Sequence, residues 1–334
     1  MQKRNQFLDI IKAFCVIFVI ITHDSISTSF RLKTLFPFWI DMAVPMFMII
    51  SGYVYAISFE RNKIATIQDA YTLRFLMPKF IRYTIPFVAA FLVEVLGEVL
   101  FAIFKFPRFS PKHLVVIFFQ GGIGPGSYYY PILLQFLLFY PVIYFIIRKY
   151  DFKGLVLCFF INACFEFFQH MWGCNSEFYR MLLFRYTFVI AFGAWLYQGR
   201  DKIPFAWKVV SFLVGTIFIV LYRYIKIKPR IITYWTGTSF LVCLFLLPVA
   251  EFLIKKVHLS CKPIEFLGKA SFNIFLAQMV YYAYMFEFTR KLISTHILQL
   301  CAHIAICVTS GIIFYFVEHK ITARVLSLIS KKIP

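Results

Sequence analysis

Charge is scarce in this chain of 334 residues: 15% are charged, and acids number only 15 against 35 Lys or Arg. A soluble globular enzyme carries about a quarter charged residues, so that class is excluded. The eight cysteines form no Cys-x-x-Cys pair and no zinc-like or disulfide-like spacing. Cys15, Cys158, Cys243, Cys301 and Cys307 fall within apolar runs and read as small hydrophobes. No polar stretch is long enough to fold as a separate domain, and there is no repeat or low-complexity segment. The net charge of +20 forms no basic stripe, which argues against nucleic acid. Scattered between apolar runs, it reads as anchoring beside anionic lipid.

What the chain has in excess is apolar surface. Hydrophobic residues make up 61%, aromatics 21%, with 44 phenylalanines and a mean hydropathy of +0.78. Ten runs of about 17–25 residues are long enough to cross a bilayer. They lie at 7–23, 38–58, 80–104, 130–147, 154–170, 181–198, 205–222, 231–254, 265–288 and 296–318. The expected fold is all-α: a polytopic membrane helix bundle of about ten transmembrane helices forming a single domain over 1–334. The first run follows Lys3 and Arg4, lacks a small-residue cleavage site and is interrupted by Lys12, so it reads as a retained helix. The positive-inside rule puts both termini in the cytoplasm. The loop carrying Arg223, Lys226, Lys228 and Arg230 then faces out. Either it binds an anionic partner or the span limits there are displaced.

Two ionisable residues interrupt the first run. Lys12 and His23 are eleven positions apart, three helical turns plus about 20°, so they share one stripe and are separated by roughly 16 Å. Ionisable groups at membrane depth are expensive and mark function by default. By depth, the outer half collects His23, Asp24, Asp41, Glu94, Glu98, Gln135, Asn162, Glu166 and Arg185. The inner side collects Lys12, Arg74, Lys79, Arg82, Lys269 and Glu251. A basic inner mouth suits a phosphorylated ligand. An outer pocket with histidine and carboxylates suits hydroxyl chemistry on a sugar, because imidazole accepts a proton near neutral pH. Simpler readings stand beside these. Arg74, Lys79 and Arg82 also serve as topology anchors, and Glu94 and Glu98 also serve as ion-pair partners of neighbouring helices. Tyr128, Tyr129 and Tyr130 fit an interfacial belt, and Gly121, Gly122, Gly124 and Gly126 a flexible outer loop.

Several stretches resemble the acyltransferase family 3 membrane proteins, in order along the whole chain. LDIIKAFCVIFVIITH is similar to that family's opening, an Arg or Lys, ten residues, then His, with Lys12 and His23 in those places. VPMFMIISGY resembles its P-x-F-F-x-x-S-G-Y stretch through Pro45, Phe47, Ser51, Gly52 and Tyr53. RFLMPKFIRYTIP is similar to its basic RxxR loop, with Lys79, Arg82 and Pro86. Tyr130 through Pro141 resembles its W-[FY]-L…P span. FLGKASFNIFLAQ resembles its G-x-x-S-Y…I-Y-L-x-H stretch, and Glu318 sits where a final-span Glu is common. Three positions depart from the pattern: Lys79 replaces an Arg, turning a bidentate phosphate grip into a point charge. Phe272 replaces a Tyr, and Gln278 a His.

The resemblance implies acyl transfer, most often of acetyl, from cytoplasmic acyl-CoA to an extracytoplasmic glycan such as lipopolysaccharide, exopolysaccharide or peptidoglycan. The first-span histidine is the residue the family ties to catalysis. The implied enzyme is a membrane-bound O-acyltransferase of the cytoplasmic membrane with acyl-CoA as co-substrate, no tightly bound cofactor and no metal. Its partners are the donor, a glycan or lipid-linked sugar acceptor, and the bilayer. On this reading Lys12, Arg74, Lys79 and Arg82 hold the CoA phosphates, and the pantetheine arm runs beside the first helix to His23. His23 acts as general base, with Asp24 or a third-span glutamate fixing its tautomer. Ser51 and Ser271 line the channel and donate to the thioester carbonyl. Asp41, Glu94, Glu98 and Glu166 form the acceptor pocket. The alternative is an exporter of a polysaccharide or its precursor, which has no need of the Lys12/His23 stripe.

Overall fold

The computed structural model describes residues 6–105, 111–173, 176–199, 203–227, 239–256 and 261–330. Among them every regular element is helical. In chain order these are α1 (Gln6–His23), α2 (Thr28–Lys33), α3 (Ala43–Arg61), α4 (Ile67–Ala70), α5 (Leu73–Lys105), α6 (Pro111–Gln120), α7 (Tyr129–Tyr150) and α8 (Phe152–Trp172). They continue as α9 (Ser176–Met181), α10 (Thr187–Gly199), α11 (Phe205–Ile219), α12 (Ser239–Lys256), α13 (Lys262–Lys269), α14 (Ser271–Tyr284), α15 (Phe286–Leu292) and α16 (His296–Ser330). Short 3₁₀ turns cover Phe36–Phe38 and Leu183–Tyr186, and a π turn over Val220–Tyr224 extends α11.

Among the described residues, seven helical segments are long and apolar enough to cross a membrane: Gln6–His23, Phe36–Arg61, Ile67–Leu100, Tyr129–Tyr150, Phe152–Gln169, Phe205–Tyr224 and His296–Ile329. Their outward faces are apolar. On α11, Val210, Leu213, Val214 and Ile217 recur at helical spacing and are all exposed. Such a surface is stable against lipid and not against water. The protein is therefore a multi-pass, all-helical membrane protein. The other three apolar runs take different forms. The run 181–198 breaks at the Leu183–Tyr186 turn before the 13 residues of α10. The run 265–288 divides at Ala270 into α13 and α14, and α14 is followed by α15. The run 231–254 begins outside the described residues, and α12 ends on Glu251, Lys255 and Lys256.

The chain forms two compact units, Met1–Ala70 with Phe139–Gly268, and Tyr71–Leu138 with Lys269–Pro334. In the first, α3 packs against α10, and α1 against α3 and α12. Small residues set the closest approach. A Cβ on Gly52 would stand 2.2 Å from the Ile190 carbonyl oxygen, and one on Gly193 2.0 Å from that of Ile49. With no lipid-excluding force between membrane helices, close backbone contact of this kind supplies the attraction. Tyr140, fully buried, donates its hydroxyl to the Gly52 carbonyl at 2.6 Å. In the second unit α5, α14 and α16 pack together. Their core includes Phe87, Phe91, Ile117, Tyr130, Leu276 and Met279, with Phe87 and Tyr130 stacked at 3.6 Å.

Candidate active site

The first helix has no Gly or Pro and runs unbroken from Gln6 to His23, so Lys12 and His23 do lie on one rod. The rod stops at His23 because the Asp24 carboxylate accepts from the Ser25 amide at 2.7 Å, a local bond that competes with helix continuation. Ser27 then caps α2, its hydroxyl accepting from the Phe30 amide. This places Arg31 of α2 back over the end of α1. Its Nη2 donates to the carbonyls of Thr22 (2.7 Å) and Asp24 (2.9 Å), and its Nε to that of Ile26 (3.2 Å). The last carbonyls of a helix lack partners, and a cation at that end also meets the negative pole of the dipole.

The strap from residue 24 to 42 is held from both sides. Trp39 donates to the Thr34 carbonyl and packs edge-on against Phe18 of α1 at 5.3 Å. From the end of α11, Tyr224 donates to the Leu32 carbonyl at 2.8 Å, and Arg223 pairs with Asp41 at 2.8 Å. Arg223 thus belongs to the helical segment Phe205–Tyr224 and has its counter-ion within the first unit. Lys226 is exposed, and Lys228 and Arg230 lie outside the described residues.

Elsewhere in this unit, Glu166 is buried with its two carboxylate oxygens 2.7 and 2.8 Å from the Tyr179 hydroxyl. The buried Arg185 guanidinium lies over the Tyr179 and Tyr186 rings, and Asn162 accepts from the Phe188 amide. Ser51 is half-buried on α3, beside the Gly52 contact. Gly268 of the FLGKASF stretch lies against the backbone of Asp9 in α1, where a Cβ would stand 1.8 Å from the carbonyl oxygen.

The second unit holds the remaining candidates. Arg74, Lys79 and Arg82 open α5. Lys79 and Arg82, three apart, share a face, and the Lys79 ammonium lies 3.4 Å over the Phe75 ring. Arg74 and Arg82 are exposed. Pro78 and Pro86 interrupt the helix, so the carbonyls of Arg74 and Arg82 lose their amide donors. Glu94 is almost fully buried. Its oxygens accept from the amides of Ile123 (3.0 Å) and Gly124 (3.2 Å), while Gln278 donates to the Pro125 carbonyl. The glycine segment 121–126, expected to be a flexible loop, is therefore pinned between α5 and α14. Positive φ at Gly121, Gly122 and Gly126 permits the shape. Tyr284 donates to the Glu94 carbonyl and to Glu98. Ser271 is buried at the start of α14, and Asn273 two residues on donates to Glu318, which also accepts from Thr322.

Two residues escape a reading of sequence alone. Arg31 sits in a short polar stretch with no hydropathy signal; the Ser27 cap three residues before Phe30 was the available clue. His303 of α16 is completely buried among the rings of Tyr281, Tyr282 and Phe286, at 5.7, 6.1 and 5.0 Å. The chain matches no curated protein and no solved structure. A family model described as an acyltransferase domain matches residues 5–316, nearly the full length. Helix α1 with Lys12 and His23 and the Gly52 and Gly268 contacts all fall inside that match, and the chain belongs to acyltransferase family 3.

Proposed function

We propose that the protein is a membrane-bound O-acyltransferase of the cytoplasmic membrane that moves acetyl from cytoplasmic acetyl-CoA to a hydroxyl of an extracytoplasmic glycan. The observation that carries this reading is the placement of His23 as the last residue of a continuous α1, under a strap tied down by Arg31, Tyr224 and Arg223. As the acceptor oxygen attacks the thioester carbon, His23 takes the hydroxyl proton. The new C–O bond forms, the C–S bond breaks, and the departing CoA thiolate recovers the proton from the imidazolium. Cations on α5 serve the donor: Arg82 with its planar fork, and Lys79 and Arg74 as further charges for the CoA phosphates.

The test uses membranes supplied with radiolabelled acetyl-CoA. Wild type transfers label to the glycan fraction. His23→Ala, at a normal membrane level, transfers none. Transfer retained in that variant removes the chemistry assigned to His23. No transfer by wild type, with glycan export lost on deletion, identifies an exporter.

A further inference from the structure

Away from the His23 end of α1, the first unit contains a cavity of about 310 Å³. It is bounded by the first turn of α1 and by α3, α10, α11 and α12. Its walls are apolar except at three side chains, Lys208, Glu251 and Tyr53. Lys208 lies in the first turn of α11 and Glu251 in the second half of α12, so both belong to the same end of this packed helix pair. Pro248 and Leu244 line the cavity too. Proline has no N–H, so the Leu244 carbonyl, four residues back, lacks its helical donor.

The charges are of both signs. Lys208 has no carboxylate partner among the described residues. Glu251 pairs with Lys255 at 2.8 Å, and an ionised carboxylate has about four lone-pair sites, so it can accept from a further donor. A cavity with one cation and one carboxylate, continuing into apolar walls, is complementary to a zwitterionic amphiphile. We propose that it is a site for phosphatidylethanolamine. The phosphate meets Lys208, the primary ammonium donates to Glu251 and the Leu244 carbonyl, and one acyl chain enters along Leu247 and Ile50. A choline headgroup has no N–H to donate. A glycerol headgroup brings the phosphate without the ammonium and leaves Glu251 facing an anion.

The experiment is native mass spectrometry of the whole protein, exchanged into neutral detergent and titrated with chain-matched phosphatidylethanolamine, phosphatidylglycerol and phosphatidylcholine. A hydrogen bond to a charged group is worth about a tenfold preference or more, so the ethanolamine lipid binds first by about that factor. Glu251→Gln loses the preference while glycerol-lipid binding holds or rises. Lys208→Ala weakens all three lipids, because each carries the phosphate. Equal binding of all three lipids to wild type overturns the proposal, as does a preference for phosphatidylglycerol. A preference for the ethanolamine lipid that survives Glu251→Gln overturns it too. The lipid series on wild type decides the matter even if a variant does not fold, and none of the readouts requires acyl transfer.

Discussion

Replacing Arg31 by Gln tests whether the turn beneath the strap holds His23 in working order. The change removes a guanidinium that donates to three carbonyls, those of Thr22, Asp24 and Ile26. Hydrogen bonds from a charged donor contribute about 1.5–3 kcal/mol each when buried. Arg31 is half-buried, so solvent competes and the three together contribute about 2–4 kcal/mol. This energy closes one turn and does not hold the bundle together. It corresponds to about a 30- to 700-fold change in the population of the opened turn. The protected amides there, including those of Asp24, Ile26, Arg31 and Thr34, report it directly. Hydrogen exchange over 24–34 should accelerate by that factor in Arg31→Gln, while exchange in α3 stays unchanged. Turnover of the proposed acetyl transfer should fall with the KM for acetyl-CoA unaltered, because the perturbed group is the proposed base. Arg31→Lys, with a point charge in place of a fork, should fall between. Unchanged exchange would show that Arg31 does not hold the turn. Accelerated exchange with full turnover would separate the turn from the chemistry.

Three further outcomes are expected. Glu94→Ala strands the amides of Ile123 and Gly124 and should cost about 2–6 kcal/mol, read as a lower Tm in detergent, with Glu94→Gln losing less because it keeps one oxygen; an unchanged Tm would mean the glycine segment is held by other contacts. Gly193→Ala forces α3 and α10 apart and should destabilise by about 1–3 kcal/mol in the same assay, whereas a tolerated alanine would show that the helices do not need this approach. Arg82→Ala should raise the KM for acetyl-CoA and leave that for the acceptor alone; an unaltered donor KM reassigns Arg82 to topology.

The bundle was legible because hydropathy reports what faces lipid, and long runs such as Gln6–His23 and Tyr129–Tyr150 need no more than that. Helix continuity is a different property. The run 181–198 has the composition of a span, yet its backbone turns at Leu183–Tyr186, where Arg185 lies over the rings of Tyr179 and Tyr186. The run 265–288 divides at Ala270, two residues after Gly268 meets the backbone of Asp9, a contact made by residues more than 250 positions apart in sequence. Such partners leave no trace in a local window. The basic segment after 222 looked misplaced for a related reason: its first member, Arg223, pairs with Asp41, 182 residues away.

The same distinction applies to the candidate site. Of the polar residues sorted by depth, Asp24, Asp41, Glu94, Asn162, Glu166 and Arg185 are buried while Arg74, Arg82 and Lys269 are exposed, and burial alone does not separate a group kept for chemistry from one kept for structure. Contacts do part of that work. Asp41 neutralises Arg223, Glu94 holds a loop through two amides, and Glu166 faces a tyrosine hydroxyl stacked on Phe165. Each of these carboxylates has a task within the fold, so losing one would disturb structure before it disturbed an acceptor sugar. Glu98 differs. It is half-buried, and one of its oxygens accepts from Tyr284. An ionised carboxylate has about four lone-pair sites, so Glu98 retains the most capacity to accept from a sugar hydroxyl. Among the four acids proposed for the acceptor, it is the one whose replacement by Gln should raise the acceptor KM without lowering Tm.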